Sequence, residues 1–324
     1  MTAIPTVTIL DPLSWDHGWS YQVEQELLAA RGVRLVVPAD RAERDIQVRL
    51  ADVIVVSGLD GVDADLIATF ERCRGIVCYS AGLDAVDVNA AHQAGISVTG
   101  IHANTIDVAE HAFALLLAIR RRIVPMTRAA EEGRWHLATL PEVWEIPRLA
   151  GGTLGIVGAG RIGRAVARRA RAFDVTTIAN YHRPPTDPDP LLPSVSLHDL
   201  MSSSDSIVVC ASLTPDSRQL IDAAALAVVK PGAVLVNVGR GAIIDEAALI
   251  DALDDGRLAG VALDVRDPEP PRSDDPLRSR DDVIQTPHMA GASRAVLDEV
   301  HLAVTDEILR VLDEGGLLPT SPGD

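Results

Sequence analysis

A single lysine, Lys230, occurs in the chain's 324 residues, alongside three phenylalanines, three tyrosines, four tryptophans and three cysteines. Each scarcity removes a class of chemistry. With one lysine, set in the turn-like "KPGA", Schiff-base and lysine general-base mechanisms have almost nothing to work with, and Lys230 reads as structural. Cys73, Cys78 and Cys210 are too few and too irregularly spaced for a disulfide framework or a Cys-x-x-Cys metal site, and no metal is expected. A basic surplus is missing as well: the formal net charge of −17 argues against general affinity for nucleic acid or a membrane surface. An anionic ligand would need local positive charge set against the protein's own field. No apolar run approaches the roughly 20 residues of a membrane span. The longest, Ala112 to Ile119, is stopped by Arg120, Arg121 and Arg122. The opening "MTAIPTVTILDP" lacks a basic region followed by an apolar stretch, so a cytoplasmic location is expected.

What is present is an ordinary globular balance, 47% hydrophobic and 23% charged, in a length suited to about two domains. Short β-rich runs, "TVTIL", "RLVVP", "DVIVVSG", "GIVCYSAG" and "ISVTG", fill the first hundred residues, with helical spacing between them, as from Tyr21 to Arg31. That alternation predicts a parallel sheet with crossover helices. "NTIDVAEHAFALLLAIRRR", from Asn104 to about Arg122, reads as one long buried helix, a natural bridge between domains. A second series follows: "TLGIVG", "VTTIAN", "SIVVCA", "AVLVNVG", "GVALDV" and "VIQTPH" are nearly continuous apolar strands, as in a sheet covered on both faces. A last helical stretch runs from Arg294 to Leu312. The acidic, proline-rich "RPPTDPDPLLP" and "RDPEPPRSDDPLRSRDD" suit the rim of a cleft.

The strongest local signal is "LGIVGAGRIGRAVARRA", which sets Gly158, Gly160 and Gly163 in the spacing G-x-G-x-x-G between a strand and a helix. The first glycine permits the tight turn, the second lets a pyrophosphate approach the backbone, and the third lets helix pack on strand. About 18 residues beyond Gly163, where an acidic residue ordinarily accepts the ribose hydroxyls, the chain has Tyr181, His182 and Arg183. None is a carboxylate, and an arginine there can pair with a 2′-phosphate. NADP(H) is therefore favoured over NAD(H), the alternative being NAD held without the usual acid with Arg183 merely solvated.

The reacting groups must come from elsewhere. "VLVNVGRGAIIDEAALIDAL" puts Arg240 just after a strand end. "AGVALDVRDPEPP" puts Asp264 at the next strand end and Glu269 five residues on. "VIQTPHMAGAS" puts His288 at the one after that. The carboxyl ends of parallel strands are where such sheets bind ligands. Taken singly, His288 could be a helix cap, Glu269 a solvated charge and Arg240 a surface ion pair; together at successive strand ends they point to catalysis.

In series these motifs, with the earlier "SAGLDAVDV…GISVTG…VAEHAFALLLAIRR", make the chain resemble the D-isomer-specific 2-hydroxyacid dehydrogenase family over nearly its full length. The resemblance implies Arg240, Glu269 and His288 as the catalytic trio. His288 as imidazolium can protonate the carbonyl oxygen of a 2-oxo acid while hydride reaches the carbon, Glu269 holding its ring and its charge. Arg240 can grip the substrate carboxylate and polarise the carbonyl. The resemblance also implies cofactor contacts at Arg161, Ile162, Thr214 and Val238, with Asp264 on the nicotinamide carboxamide unless it merely caps a strand end. In "YSAGLD" it implies Ala81 and Gly82 as backbone binders of the substrate carboxylate, against a simple turn. Asp84 and Glu110 also carry motifs but read as structural.

Cys210 and Ser212 in "VVCASLT" replace a usual His and Pro, which touches fine cofactor geometry and not the reaction. Glu269 and "HMAG" speak against formate as substrate, and the absence of lysine in "YSAGLD" against phosphite. The expected architecture is two Rossmann-like or flavodoxin-like α/β parallel-sheet domains with a cleft between them. Residues 1–99 plus 291–324 would bind substrate and 100–290 the dinucleotide, with no regulatory domain after the last helix. The expected activity is NADP(H)- or NAD(H)-linked interconversion of a 2-oxo acid and a D-2-hydroxy acid, as in glyoxylate or hydroxypyruvate reductases, in a homodimer built through the nucleotide domains up to Trp144. An NAD-linked enzyme of the phosphoglycerate dehydrogenase kind and a nucleotide-sensing module like the family's corepressor relatives are the alternatives.

Overall fold

In a computed structural model, the described residues are 4–12, 20–56, 61–181 and 188–317. The chain divides into two compact units, Met1–Asn104 with Ser293–Asp324, and Thr105–Ala292. The first holds β1 (Thr6–Ile9), β2 (Arg34–Val36), β3 (Val53–Val56), β4 (Gly75–Cys78) and β5 (Ser97–Gly100). They pair in parallel in the order β2-β1-β3-β4-β5. The apolar runs of β1, β3 and β4 are buried throughout, whereas the edge strands β2 and β5 are partly open. That gradient is what covering helices on both faces produce.

The helix Arg294–Glu314 closes this unit, placing Val300, Val304, Ile308 and Val311 in one core with Val7, Val53 and Val77. A Cβ added at Gly75 would lie 2.5 Å from a Val311 methyl, so the glycine lets that helix press on β4. Residues 100–104 stay with the first unit, a little beyond the expected boundary, because the Ile101 amide donates to the carbonyls of Cys78 and Ser80 and its side chain joins the same core.

The second unit holds β6 (Thr153–Val157), β7 (Thr176–Asn180), β8 (Ser206–Val209), β9 (Ala233–Asn237), β10 (Leu258–Leu263) and β11 (Val283–Gln285). All are parallel, in the order β11-β10-β9-β8-β6-β7. One apolar cluster, drawn largely from the helices Thr105–Arg120 and Arg161–Arg171, and a second, with Leu200, Met201, Leu249 and Leu253, supply its core. Strand order reverses between β6 and β8, and the carboxyl ends of such strands form the binding crevice of this architecture. Both units are thus parallel-sheet α/β folds, as the strand pattern predicts.

The expected long helix is Thr105–Arg120, and a second helix, Ile123–Glu131, follows it. Thr105–Arg120 ends and Ile123–Glu131 begins around Arg122, whose φ of 52° is left-handed. Arg120, only 6% exposed, turns its guanidinium inward to the Asp205 carbonyl at 2.8 Å. Packed on the helix Arg161–Arg171 and on β9 and β10, Thr105–Arg120 is a core element of the second unit. Among the described residues no helix is long and apolar enough to cross a membrane.

Candidate active site

The glycine turn joins β6 to the helix Arg161–Arg171, and the structure distinguishes its three glycines. Gly158 has φ 85°, and a Cβ there would meet the Ala211 backbone at 2.4 Å, so β6 and the segment after β8 approach as only glycine allows. A Cβ at Gly163 would meet the Gly158 carbonyl oxygen at 2.8 Å, which is the helix-on-strand contact. Gly160 faces open space, with nothing within 4 Å of an added Cβ. It is the N-cap of an eleven-residue helix and supplies no side-chain cap, so the first amides of that helix are left for another acceptor. An exposed cradle of this kind fits a dinucleotide pyrophosphate. Arg161 is exposed and Ile162 half-buried at the start of that helix.

At the end of β7, Tyr181 packs against the core, and its hydroxyl is shielded from solvent with no hydrogen-bond partner among the described residues. Burial pushes the phenol above its ordinary value, partly offset by the nearby Arg164 guanidinium. His182 and Arg183 lie outside the described residues. Val238, after β9, is buried and donates its amide to the Val209 carbonyl. Thr214 is exposed in a turn closed by Ser217, whose hydroxyl lies 2.7 Å from the Thr214 amide and also 2.7 Å from the Ser212 carbonyl. Desolvation drives the Cys210 thiol up to about 12, so it stays protonated.

The three strands β9, β10 and β11 are neighbours, and Arg240, Glu269 and His288 follow their carboxyl ends in turn. His288 Nδ1 lies 2.7 Å from Glu269 Oε2, with the two side chains 48% and 36% exposed. Glu269 Oε1 accepts the Arg266 amide at 2.7 Å, so each carboxylate oxygen has its own donor. Arg240 is half-buried in extended backbone, one guanidinium nitrogen donating to the Gly239 carbonyl at 2.9 Å. A Cβ at Gly241 would fall 2.0 Å from the Arg266 carbonyl carbon, so the turn after Arg240 rests directly on the segment that leads to Glu269.

His288 has φ 50°, unusual for a residue with a side chain. Asp264, 2% exposed, holds that turn. Its Oδ1 accepts the Thr286 hydroxyl at 2.6 Å and the Met289 amide at 2.9 Å, and its Oδ2 the Ala290 amide at 2.9 Å. The His288 amide donates to its backbone carbonyl at 2.8 Å, and His111 Nε2 lies 3.1 Å from the Thr286 hydroxyl. The carboxylate is thus engaged by its own chain on both oxygens.

In the first unit, Ala81 and Gly82 are half-buried in the loop after β4, where the Ser80 hydroxyl donates to the Gly82 carbonyl at 2.9 Å. A Cβ at Gly100 would lie 2.8 Å from the Ser80 and Ala81 carbonyl oxygens, so this loop leans on β5. Glu110 pairs with Arg169 at 2.9 Å, and Lys230 with Asp205 at 2.7 Å. Among the described residues no group of three or more His, Cys, Asp or Glu could hold a metal ion.

Residues 113–290 match the family model described as D-isomer specific 2-hydroxyacid dehydrogenase, NAD binding domain. The chain belongs to the D-isomer specific 2-hydroxyacid dehydrogenase family. Within it, a glyoxylate reductase of Korarchaeum cryptofilum is 35% identical over 268 residues, covering 81% of this chain and 80% of that protein. A D-3-phosphoglycerate dehydrogenase of Archaeoglobus fulgidus is 35% identical over 271 residues, which is 80% of this chain and 49% of that protein. The chain therefore spans about half the length of the first curated relatives it matches. The crystal structure of a glyoxylate reductase from Paecilomyes thermophila has a TM-score of 0.82 at 29% identity, over 98% of both chains. Against this family frame, sequence reasoning missed Arg266, Thr286 and His111. All three lie inside quoted stretches, "AGVALDVRDPEPP", "TPHMAGAS" and "VAEHAF", but nothing in one sequence pairs His111 with Thr286 across 175 positions.

Proposed function

We propose that this protein reduces a small 2-oxo acid of the glyoxylate or hydroxypyruvate kind to the D-2-hydroxy acid. The observation that carries this reading is the 2.7 Å contact of His288 Nδ1 with Glu269 Oε2 at neighbouring strand ends. When bound, the nicotinamide cofactor supplies the hydride. Glu269 takes the Nδ1 proton in hydrogen bond, which orients the ring and leaves the Nε2 proton of the imidazolium for the substrate's carbonyl oxygen. Arg240, beside them in sheet order, supplies the planar fork that binds the substrate carboxylate and the local positive charge an anion needs against a net charge of −17. Ala81 and Gly82 are the residues of the first unit proposed to bind a substrate carboxylate through backbone amides.

We infer NADP(H) in preference to NAD(H) from the absence of a carboxylate at positions 181–183 and the presence of Arg183. A homodimer is part of the reading: Trp135 and Trp144, in the segment after the helix Ile123–Glu131, are each 75% exposed, a large apolar surface for one monomer to leave in water. Light scattering at micromolar concentration should give twice the chain mass.

The deciding experiment is a matrix of glyoxylate, hydroxypyruvate, pyruvate and 3-phosphohydroxypyruvate against NADH and NADPH. The phosphorylated arm answers the second reading, which the similarity to D-3-phosphoglycerate dehydrogenases favours. Turnover should be highest with an unphosphorylated acid and NADPH, and Arg183→Ala should weaken NADPH far more than NADH. His288→Gln should lower kcat by about 10²- to 10⁴-fold while leaving cofactor binding intact. A variant that keeps its turnover would sink the mechanism.

A further inference from the structure

Arg266 lies inside the quoted "AGVALDVRDPEPP" with no role read for it there, yet three segments of the second unit meet on it. Its side chain is only 7% exposed. Nε and Nη2 donate to Glu246 Oε2 at 3.2 and 2.9 Å, and Nη1 to Asp275 Oδ2 at 2.7 Å and to Gln285 Oε1. Glu246 opens the helix that follows the Arg240 turn, Gln285 ends β11 three residues before His288, and Asp275 lies on the far side of the loop that carries Glu269. The loop is stitched further by the Leu277 amide to Asp275 Oδ1 at 3.0 Å and by Gln285 Nε2 to the Leu277 carbonyl at 3.1 Å. Meanwhile the Arg266 backbone amide holds Glu269 Oε1, which sets the rotation of that carboxylate and aims Oε2 at His288.

We propose that Arg266 is a positioning residue for the general acid: its guanidinium pins the Glu269 loop to the strand ends bearing Arg240 and His288, and its amide fixes the Glu269 carboxylate. The proposal rests on the reading of His288 and Glu269 given above. A guanidinium is required because only a planar fork reaches Glu246 on one side and Asp275 with Gln285 on the other. Lysine carries the charge to one partner at a time. The two carboxylates flank the buried cation, so removing it takes from Asp275, whose side chain is 4% exposed, its hydrogen-bonded counter-charge.

The test is a double-mutant cycle of Arg266→Met with Glu269→Gln, read as kcat, KM for the 2-oxo acid and Kd for NADPH. In the wild-type background Arg266→Met should lower kcat about ten- to a hundredfold, since misplacement by an ångström carries a cost of that order. KM and Kd should change little, and Arg266→Lys should recover part of the loss. In the Glu269→Gln background Arg266→Met should lower kcat by no more than about twofold, because the group it positions has already lost its function. Equal losses in both backgrounds, or a loss confined to KM and Kd, would overturn the proposal. If Arg266→Met does not fold, the same cycle with Arg266→Lys, which keeps a charge beside Asp275, decides it. Glu269→Gln alone retaining full kcat would instead overturn the acid–base reading, a result distinguishable because it does not involve Arg266.

Discussion

At the scale of single residues, Gly158 and Gly160 of the nucleotide turn should respond to the same mutation in opposite ways. Gly160→Ala adds a methyl into open space at φ −72°, a conformation any residue adopts, so the fold has nothing to lose. The methyl would occupy the room through which a pyrophosphate reaches the helix amides. Unchanged thermal stability with a cofactor Kd raised tenfold or more, on the order of 1.4 kcal/mol, is expected from calorimetry and fluorescence titration. Gly158→Ala, at φ 85° and 2.4 Å from backbone, should instead destabilise the unit as a whole. If Gly160→Ala binds NADPH as the parent does, the cradle is not where the dinucleotide lies. The two glycines occupy equivalent places in a text motif, and only the backbone around them separates folding from binding. The same limit applies elsewhere in the site. His288 and Glu269 were legible because strand ends and motif order place them together. Arg266 was not, because its meaning lies in Glu246, Asp275 and Gln285, at separations of 20, 9 and 19 residues that no helical or strand period links.

Among the elements, all eleven strands of the described residues could be read from their β-rich runs, most plainly the central ones, since a strand covered on both faces leaves an uninterrupted signature. The end of the helix near Arg122 was legible in its three arginines, but the left-handed turn there and the helix Ile123–Glu131 beyond it were not, because that turn is a backbone event. The turn after β11 is likewise invisible in composition. A non-glycine residue in the left-handed region costs about 1–2 kcal/mol, and His288 is kept there by the three donors that Asp264 accepts from Thr286, Met289 and Ala290. Thr286→Val preserves shape and removes one of them. A loss of about 1–3 kcal/mol is expected in urea unfolding, the cost of an unmet partner to a buried charge, together with lower kcat. Asp264→Asn should cost more, as its amide nitrogen can no longer accept from a backbone N–H. Were Asp264→Asn to leave stability untouched and weaken only cofactor binding, contact with the nicotinamide would be its role and the turn would be held by other means.

For the molecule as a whole, stability should pass through a broad maximum set by two populations of ionisable groups. Hydrogen bonds from Arg266 and Arg280 hold the carboxyls of Asp275 and Asp282 below the usual carboxylate range. At Asp205 burial pushes the other way, but Lys230 and the Thr153 amide outweigh it. A carboxylate depressed by folding adds stability above its unfolded value, and that contribution disappears as pH falls through the folded one, so these three act below about pH 4. Above that point, self-repulsion of a chain with net charge −17 eases as pH falls toward its isoelectric point near 4.9. On the alkaline side, burial raises the thiols of Cys73, Cys78 and Cys210 from 9.0 to about 12. Between those values the unfolded chain sheds protons that the folded one retains, so stability falls with rising pH. The midpoint of thermal unfolding should therefore climb gently from pH 8 to about 5, drop below about 4, and drop again above about 9. Added salt should raise it more at pH 8 than at pH 5, where less charge remains to screen. Replacing all three cysteines by alanine should flatten the alkaline limb and leave the acid limb in place. An alkaline limb that survives the triple replacement unchanged would mean that groups other than these thiols set it.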